Sequence, residues 1–473
     1  MSPRPATDRA FLGTALHAPV RGELDVLRDV VIVVGTDGAI KAIHTQGSRD
    51  GVDIATRHAA AGTLVRFEQG QYLLPGLVDL HVHAPQWPQL GKALDQPLEI
   101  WLQTFTFPLE ARYSDLGFAE TAYESLVDGL IANGTTTALY YATIHLPATR
   151  KLADICLRKP QRALIGRVAM DDPDQCPDYY RDASAAAAEN DTRDFIAYVQ
   201  SMPDNEDALV RPVITPRFIP SCSDELLWRL GALARETGCY VQTHCSESDW
   251  EHEFVLDRCG VTDAAALENF GLLSRRTILA HGNFIGDEDT ARILRAGAGI
   301  AHCPLSNVYF SDAIFPLRRM LERGVHVGLG TDIAGGASPS ILENARQAVI
   351  ASRTLESGVD AVQGRDQRRR ESSRIDARTA FWLATAAGGE ALDLPIGLFR
   401  EGYQFDAILL DANVPDSNLR LDLKDAPEEM LQKIIYNAGR ANIRDVWVSG
   451  RTAHARESMA IPMAQGALAA ERT

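Results

Sequence analysis

Hydrophobic and polar positions along this chain fall into two textures. Between residues 10 and 72, short apolar runs alternate with turn residues. Val30-Val31-Ile32-Val33-Val34 and Ala39-Ile40-Lys41-Ala42-Ile43 flank Gly35-Thr36-Asp37-Gly38, which predicts a β-hairpin. The far end repeats this texture. Phe405-Asp406-Ala407-Ile408-Leu409-Leu410 and Val446-Trp447-Val448-Ser449-Gly450 are strand-like and bounded by polar turns. Two strand-rich ends predict one small composite β-sandwich domain, built from residues 1–72 and 395–473.

The middle, residues 73–394, has a slower rhythm. Short apolar strand candidates occur at 76–83, 135–144, 163–171, 210–218, 240–247, 277–283, 299–307 and 326–332. Helical stretches such as 225–237 and 287–296 lie between most of them. Strand and helix alternating in this way predict an α/β fold, a (β/α)8 TIM barrel. An open doubly wound sheet shares the periodicity, so the chemistry at the strand ends has to decide. Two segments read as insertions. Residues 85–114 are aromatic and proline-bearing, and 173–207 contain a helical run over 185–200. The basic stretch 364–374 reads as a solvated surface loop.

Composition narrows the picture. With 473 residues, a prior of about three domains applies; the strand pattern reduces it to two. Lys plus Arg is 47 and Asp plus Glu is 63, a formal charge of −16. That sign argues against a duplex nucleic-acid partner and against docking on an anionic membrane. No apolar run approaches the ~18 residues of a membrane span. The polar start leads into no apolar signal core, so a cytoplasmic address is expected. Seven cysteines without a CxxC pair suggest buried free thiols rather than a disulfide framework or a cysteine zinc site.

The candidate chemistry begins at Asp79-Leu80-His81-Val82-His83. Residues two apart on a strand face the same way, so His81 and His83 point to one side. His244, His281 and Asp332 end the fifth, sixth and eighth candidate strands, each after an apolar run. In a barrel these C-terminal strand ends converge on one mouth. Four histidines and an aspartate, far apart in sequence, are thereby expected to meet, and imidazole with carboxylate suits a borderline metal ion.

With those residues in place, the chain resembles the amidohydrolase superfamily. Pro75-Gly76-Leu77-Val78-Asp79-Leu80-His81-Val82-His83, His302-Cys303-Pro304-Leu305-Ser306-Asn307, Gly330-Thr331-Asp332 and Phe405-Asp406-Ala407-Ile408-Leu409 carry the likeness. Finer motifs resemble the guanine deaminase family within it. These are His83-Ala84-Pro85-Gln86-Trp87-Pro88, Thr106-Phe107-Pro108-Leu109-Glu110-Ala111-Arg112, Thr215-Pro216-Arg217-Phe218, Ser221-Cys222-Ser223, His244-Cys245-Ser246-Glu247 and Thr331-Asp332-Ile333-Ala334-Gly335-Gly336.

The resemblance implies one zinc ion per chain, with iron as the alternative, held by His81, His83, His244 and Asp332. It implies a catalytic set of Glu247 as proton shuttle, His281 as a partner of the attacking water, and Asp332. It places Gln86, Arg217 and Phe218 in a purine pocket, with guanine converted to xanthine and ammonia in purine catabolism. A homodimer is the expected assembly. Related rings such as 8-oxoguanine, a pterin or an aminotriazine are the alternative substrates. Binuclear relatives use a carboxylated lysine late in the third or fourth strand, and 163–171 and 210–218 contain no lysine, so one metal is expected.

The residues suit that chemistry. Glu247 lies three positions after His244 and can reach both the ring and the departing amine. A carboxyl group that alternates between acid and base serves there, particularly if buried. Arg217 can donate to a ring carbonyl, Gln86 can donate and accept together, and Phe218 can stack. Arg217 as a structural ion-pair partner, and Phe218 as core, are the plainer readings. His145 either lines the pocket or caps a loop, and His302 supports the site or the fold. The aromatic insertion around Trp87, Trp101, Phe105 and Phe107 reads as a lid or as a dimer face.

Overall fold

The computed structural model describes residues 5–456, apart from 312 and 423. Residues 457–473 of the expected terminal domain therefore lie outside the described residues. Two sheets organise the chain. The first takes strands from both ends: β1 (Arg9–His17), β2 (Asp25–Val34), β3 (Ile40–Thr45), β4 (Leu64–Arg66) and β5 (Gln71–Pro75) from the start. The barrel strands follow as β6 (Leu77–His83), β7 (Thr135–Tyr141), β8 (Arg162–Ala169), β9 (Val210–Pro216), β10 (Tyr240–Cys245), β11 (Thr277–His281), β12 (Gly299–His302) and β13 (His326–Leu329). The chain then returns to the first sheet with β14 (Ala407–Asp411), β15 (Ile443–Val448) and β16 (Arg451–Ala455).

The terminal sheet runs β16-β15-β14-β5-β1-β2-β3, with β4 parallel to β1. β5 pairs antiparallel with β14, so residues more than 300 positions apart are neighbours in one sheet. Its core gathers Phe11, Ile32, Leu73, Phe405 and Trp447. Phe11 stacks on Phe405 at 4.3 Å between centroids and meets Trp447 edge-on at 5.3 Å. The expected hairpin is present, with Val34 opposite Ile40 and Val30 opposite Thr45. Its turn needs Gly38, which has φ of +79°. A Cβ there would also lie 2.3 Å from the Ser449 carbonyl oxygen.

One element of this region departs from the strand-and-turn reading. Arg49–Ala60 is a helix, started by Ser48, whose hydroxyl accepts from the Gly51 N–H. It buries only Gly51, Ile54 and Ala55. Its apolar and polar residues segregate onto opposite faces at the helical period, but the strand-and-turn texture on either side masks it.

β6 to β13 form one parallel sheet in chain order. The Asp332 N–H donates to the His81 carbonyl at 2.8 Å, and the His83 N–H donates to the Ile333 carbonyl at 2.8 Å. These two bonds join the end of β6 to the segment just beyond β13, so the barrel closes at its C-terminal rim. At the opposite end, Leu139, Leu164, Val213 and Tyr240 share a core with Leu392 and Ile396. The Tyr240 hydroxyl donates to the Leu392 carbonyl there.

Buried polar pairs tie the parts together. Arg162 on β8 makes a two-point contact with Asp406 at 3.1 and 3.2 Å and also donates to the Ser449 hydroxyl. Asp406 accepts from the Ser449 N–H as well, so one carboxylate joins barrel to terminal sheet. Arg167 pairs with Asp182, which also caps the Met170 N–H, and this holds the start of the 173–207 insertion against β8. The helix of that insertion spans Ala185–Gln200, with Ser184 as its cap. No helix of the described residues is long and apolar enough to cross a membrane.

Candidate active site

The barrel rim brings the sequence-distant candidates to one place. His81 and His83 leave β6 on the same face, as period-two alternation requires. His244 lies on β10, His281 ends β11, and Asp332 follows β13. The His83 and His244 Nε2 atoms are 3.0 Å apart, and His81 Nε2 is 3.1 Å from an Asp332 carboxylate oxygen. All four side chains are buried. Burial, together with the neighbouring imidazoles, holds His81, His83 and His244 well below the usual histidine range, so all three are neutral.

Hydrogen bonds fix which nitrogen of two rings is free. His244 Nδ1 lies 2.6 Å from the Arg217 carbonyl, which only accepts, so Nδ1 carries the proton and Nε2 presents a lone pair. Asn307 donates its amide to the Asn283 carbonyl oxygen, so its own oxygen accepts from His281 Nδ1 at 3.0 Å. His281 Nε2 therefore also presents a lone pair, 3.6 Å from Glu247 and 3.9 Å from Asp332. His81 Nε2 and His281 Nε2 are buried without a hydrogen-bond partner. Unprotonated imidazole nitrogens converging beside a carboxylate repel one another unless a cation sits among them. The donor set fits one divalent ion, and the overlapping groups able to hold it all draw on His81, His281 or Asp332.

The carboxylates are tuned by burial. Asp332 is raised to about 6 by burial, opposed by His281. Glu247 is pushed well above the carboxylate range by burial and by the charge of Asp332, with Arg217 opposing. Its backbone is held on both sides. The Glu247 N–H donates to Glu251 at 2.7 Å, and Asn283 donates to the Glu247 carbonyl at 2.9 Å. Asp79 accepts from the Thr331 N–H and hydroxyl, which anchors the residue before Asp332. Ser246, His281 and Asp332 all adopt positive φ, at 50°, 70° and 50°. Left-handed backbone at three non-glycine rim residues is strain of the kind concentrated at functional sites.

Against this cluster lies a cavity at the barrel mouth. His83, His244, Glu247 and Asp332 form one wall, and Gln86, Arg217 and Phe218 face it. Leu98, Trp101, Leu102 and Phe310 supply an apolar cover. The aromatic insertion thus lies over the site. Trp101 is pinned by its indole N–H to the Lys92 carbonyl, and Trp87 bonds Ser125 away from the cavity lining. The helical stretch widens to a π-turn over Leu102–Thr106, a local deformation frequent beside functional sites.

Arg217 is not free. Its guanidinium makes a two-point contact with Glu110 at 2.6 and 3.2 Å. Gln86 donates to the same carboxylate at 2.9 Å and accepts from the Ala334 N–H at 3.1 Å. The ion-pair reading of Arg217 therefore holds, and the same side chain also lines the cavity. Phe218 packs at 6.1 Å from His244 and 5.9 Å from Trp250. His145 does not line the cavity; it packs on Tyr180 at the start of the helix Leu146–Arg158. His302 is buried, lowered to about 3 by burial, and packs on Phe315.

Sequence reasoning gave no role to Glu110, Glu251, Asn283 or Asn307. Glu110 and Asn307 stand inside motifs that drew attention, but their importance lies in contacts with residues far along the chain.

The comparisons with known proteins agree with this geometry. The amidohydrolase family profile matches residues 72–453. A probable guanine deaminase of Schizosaccharomyces pombe is 35% identical over 93% of this chain and 82% of its own length. A guanine deaminase of Homo sapiens is 34% identical, covering 94% of this chain and 97% of its own. Among solved structures, a guanine deaminase of C. acetobutylicum with guanine bound in its active site superposes with a TM-score of 0.82 at 30% identity, over 94% of this chain and 99% of that one. By its barrel, its rim of histidines and aspartate, and these matches, the chain belongs to the amidohydrolase family.

Proposed function

We propose that this chain hydrolyses guanine to xanthine and ammonia, using one bound zinc ion. The observation that carries the reading is the cavity itself. It sets the His/Asp cluster and the buried Glu247 opposite Arg217 and Gln86, a fixed array of hydrogen-bond donors suited to a ring carbonyl. Near-full-length relatives named guanine deaminase support the substrate.

The cation supplies a Lewis acid that makes water nucleophilic near neutral pH, lowering its pKa from ~15.7 toward ~7. The chain's own groups do the rest. Asp332, raised toward neutrality, accepts a proton from the attacking water. The His281 Nε2 lone pair accepts a hydrogen bond from that water and directs it at the ring, while Asn307 holds the imidazole in place. Glu247 begins protonated, gives that proton to N3 as the oxygen adds to C2, and recovers one from the water. It then protonates the amine, which leaves as ammonia. Arg217 and Gln86 hold the carbonyl edge, Phe218 borders the ring plane, and Leu98, Trp101 and Leu102 exclude bulk water.

Three imidazoles and one carboxylate favour zinc, with iron the alternative. Metal-loaded protein tested for ammonia release on guanine, adenine, 8-oxoguanine, a pterin, an aminotriazine and cytosine decides the substrate. Guanine is expected to be fastest, with adenine slower by about 10⁴ because it lacks the carbonyl that the donors require. Chelation is expected to abolish turnover, and elemental analysis to give one ion per chain. Fast release from another ring without guanine turnover would overturn the substrate; comparable rates on adenine would remove Arg217 and Gln86 from recognition. The seven free thiols suit a reducing compartment, and we place the enzyme in cytoplasmic purine breakdown. A homodimer is expected from the family resemblance, and light scattering on the purified chain reads the mass.

A further inference from the structure

We propose that Glu110 is a positioning residue that sets the purine selectivity of the cavity, by locking Arg217 and Gln86 into a donor array that accepts a ring carbonyl and refuses a ring amine. The inference rests on the deaminase reading and goes beyond it, since Glu110 is neither a proposed metal donor nor part of the cavity lining, and acts only through Arg217 and Gln86.

Glu110 is fully buried on the insertion that covers the barrel mouth. Its carboxylate accepts from both terminal nitrogens of Arg217 and from Gln86 Nε2. The first consequence is electrical. A buried guanidinium beside a cavity would draw in an anion, and the Glu110 charge cancels it, so a neutral ring is favoured. The second is geometric. Arg217 has five N–H donors and no acceptor; with two held by Glu110, three remain, and all of them can only donate. Phe107, under the guanidinium at 5.0 Å, holds its plane.

The third consequence concerns Gln86. An amide side chain can ordinarily turn over and exchange its donor for its acceptor. Here its nitrogen faces a carboxylate and its oxygen faces the Ala334 N–H. A flipped amide would set oxygen against carboxylate and N–H against N–H, so one orientation is fixed. The edge of the cavity thus cannot adapt its hydrogen-bond pattern to a ring that presents an amine where guanine presents O6. A site with fixed, buried donors rejects the analogue that cannot accept from them.

The test compares rings that differ only at position 6. Guanine and 2,6-diaminopurine share the 2-amino leaving group, and their kcat/KM ratio is measured on the metal-loaded enzyme. Hypoxanthine and adenine carry no 2-amino group, so their relative affinity is read by calorimetry on the same metal-loaded protein without turnover. E110Q is expected to shrink both preferences for the 6-oxo ring by about tenfold or more. E110D, which keeps the charge one methylene further back, is expected to shrink them less. A merely structural Glu110 would lower the active fraction and scale both rings equally, so unchanged ratios in E110Q overturn the proposal. Should E110Q fail to fold, unchanged ratios in E110D overturn it instead. Wild-type protein that prefers hypoxanthine yet releases no ammonia from guanine defeats the deaminase reading and leaves Glu110 judged on the binding ratio. Wild-type protein without any 6-oxo preference defeats the Glu110 proposal outright.

Discussion

Replacing Glu247 by glutamine is expected to leave the metal and the fold in place and to lower kcat by about 10²–10⁴. Burial and the charge of the neighbouring Asp332 push this carboxyl well above the usual carboxylate range, which favours its protonated form. The proposed reaction asks it to give a proton, take one back and give it again. Glutamine has the same shape and can do none of these. The position of residue 247 does not depend on its side chain, because Glu251 and Asn283 hold its backbone. The proposed metal donors lie on other residues. The informative result is therefore a split: metal content near one equivalent and unchanged circular dichroism, with turnover nearly gone. Turnover within about tenfold of wild type would remove Glu247 from the proton path, since even modest acid–base catalysis exceeds that factor.

The second large effect is on stability. Arg162→Met is expected to cost about 3–5 kcal/mol, because it leaves the buried Asp406 charge without its partner. Both side chains are nearly inaccessible, and their contact joins β8 to the terminal sheet. The remaining Ser449 N–H bond cannot replace a guanidinium. Replacing both residues by apolar ones, as in Arg162→Met with Asp406→Leu, should cost less than the sum of the single changes, because no charge is then stranded. Midpoints of chemical denaturation for the three variants measure this. A single variant within about 1 kcal/mol of wild type would mean that water reaches Asp406 and that the pair is not sealed.

Much of the barrel was legible because each of its strands is a short apolar run that stops at residues with chemistry to do. Those stops, His83, His244, His281 and Asp332, also announced the rim. The terminal sheet was legible from the alternation at both ends. The helix Arg49–Ala60 was not read, although its apolar and polar residues segregate at the helical period, because the strand candidates on either side set the expectation. Glu110 was visible as a letter in a motif and invisible as a partner. Its meaning depends on Arg217, 107 positions away, and no local pattern reports such a distance. The asparagines behind His281 were hidden for the same reason. An amide's role is set by what it faces, and only the fold supplies that.

The closing bonds of the barrel run between the backbones of His81 and Asp332 and of His83 and Ile333. The residues offered to the cation are thus also the stitches of the final seam. A substitution that tries to loosen this rim for a new reaction would open the scaffold as well. The outer helices are free of that double duty. Tolerance to change should therefore be graded around the molecule, highest on the outer helices and lowest along the joint where the cylinder meets itself.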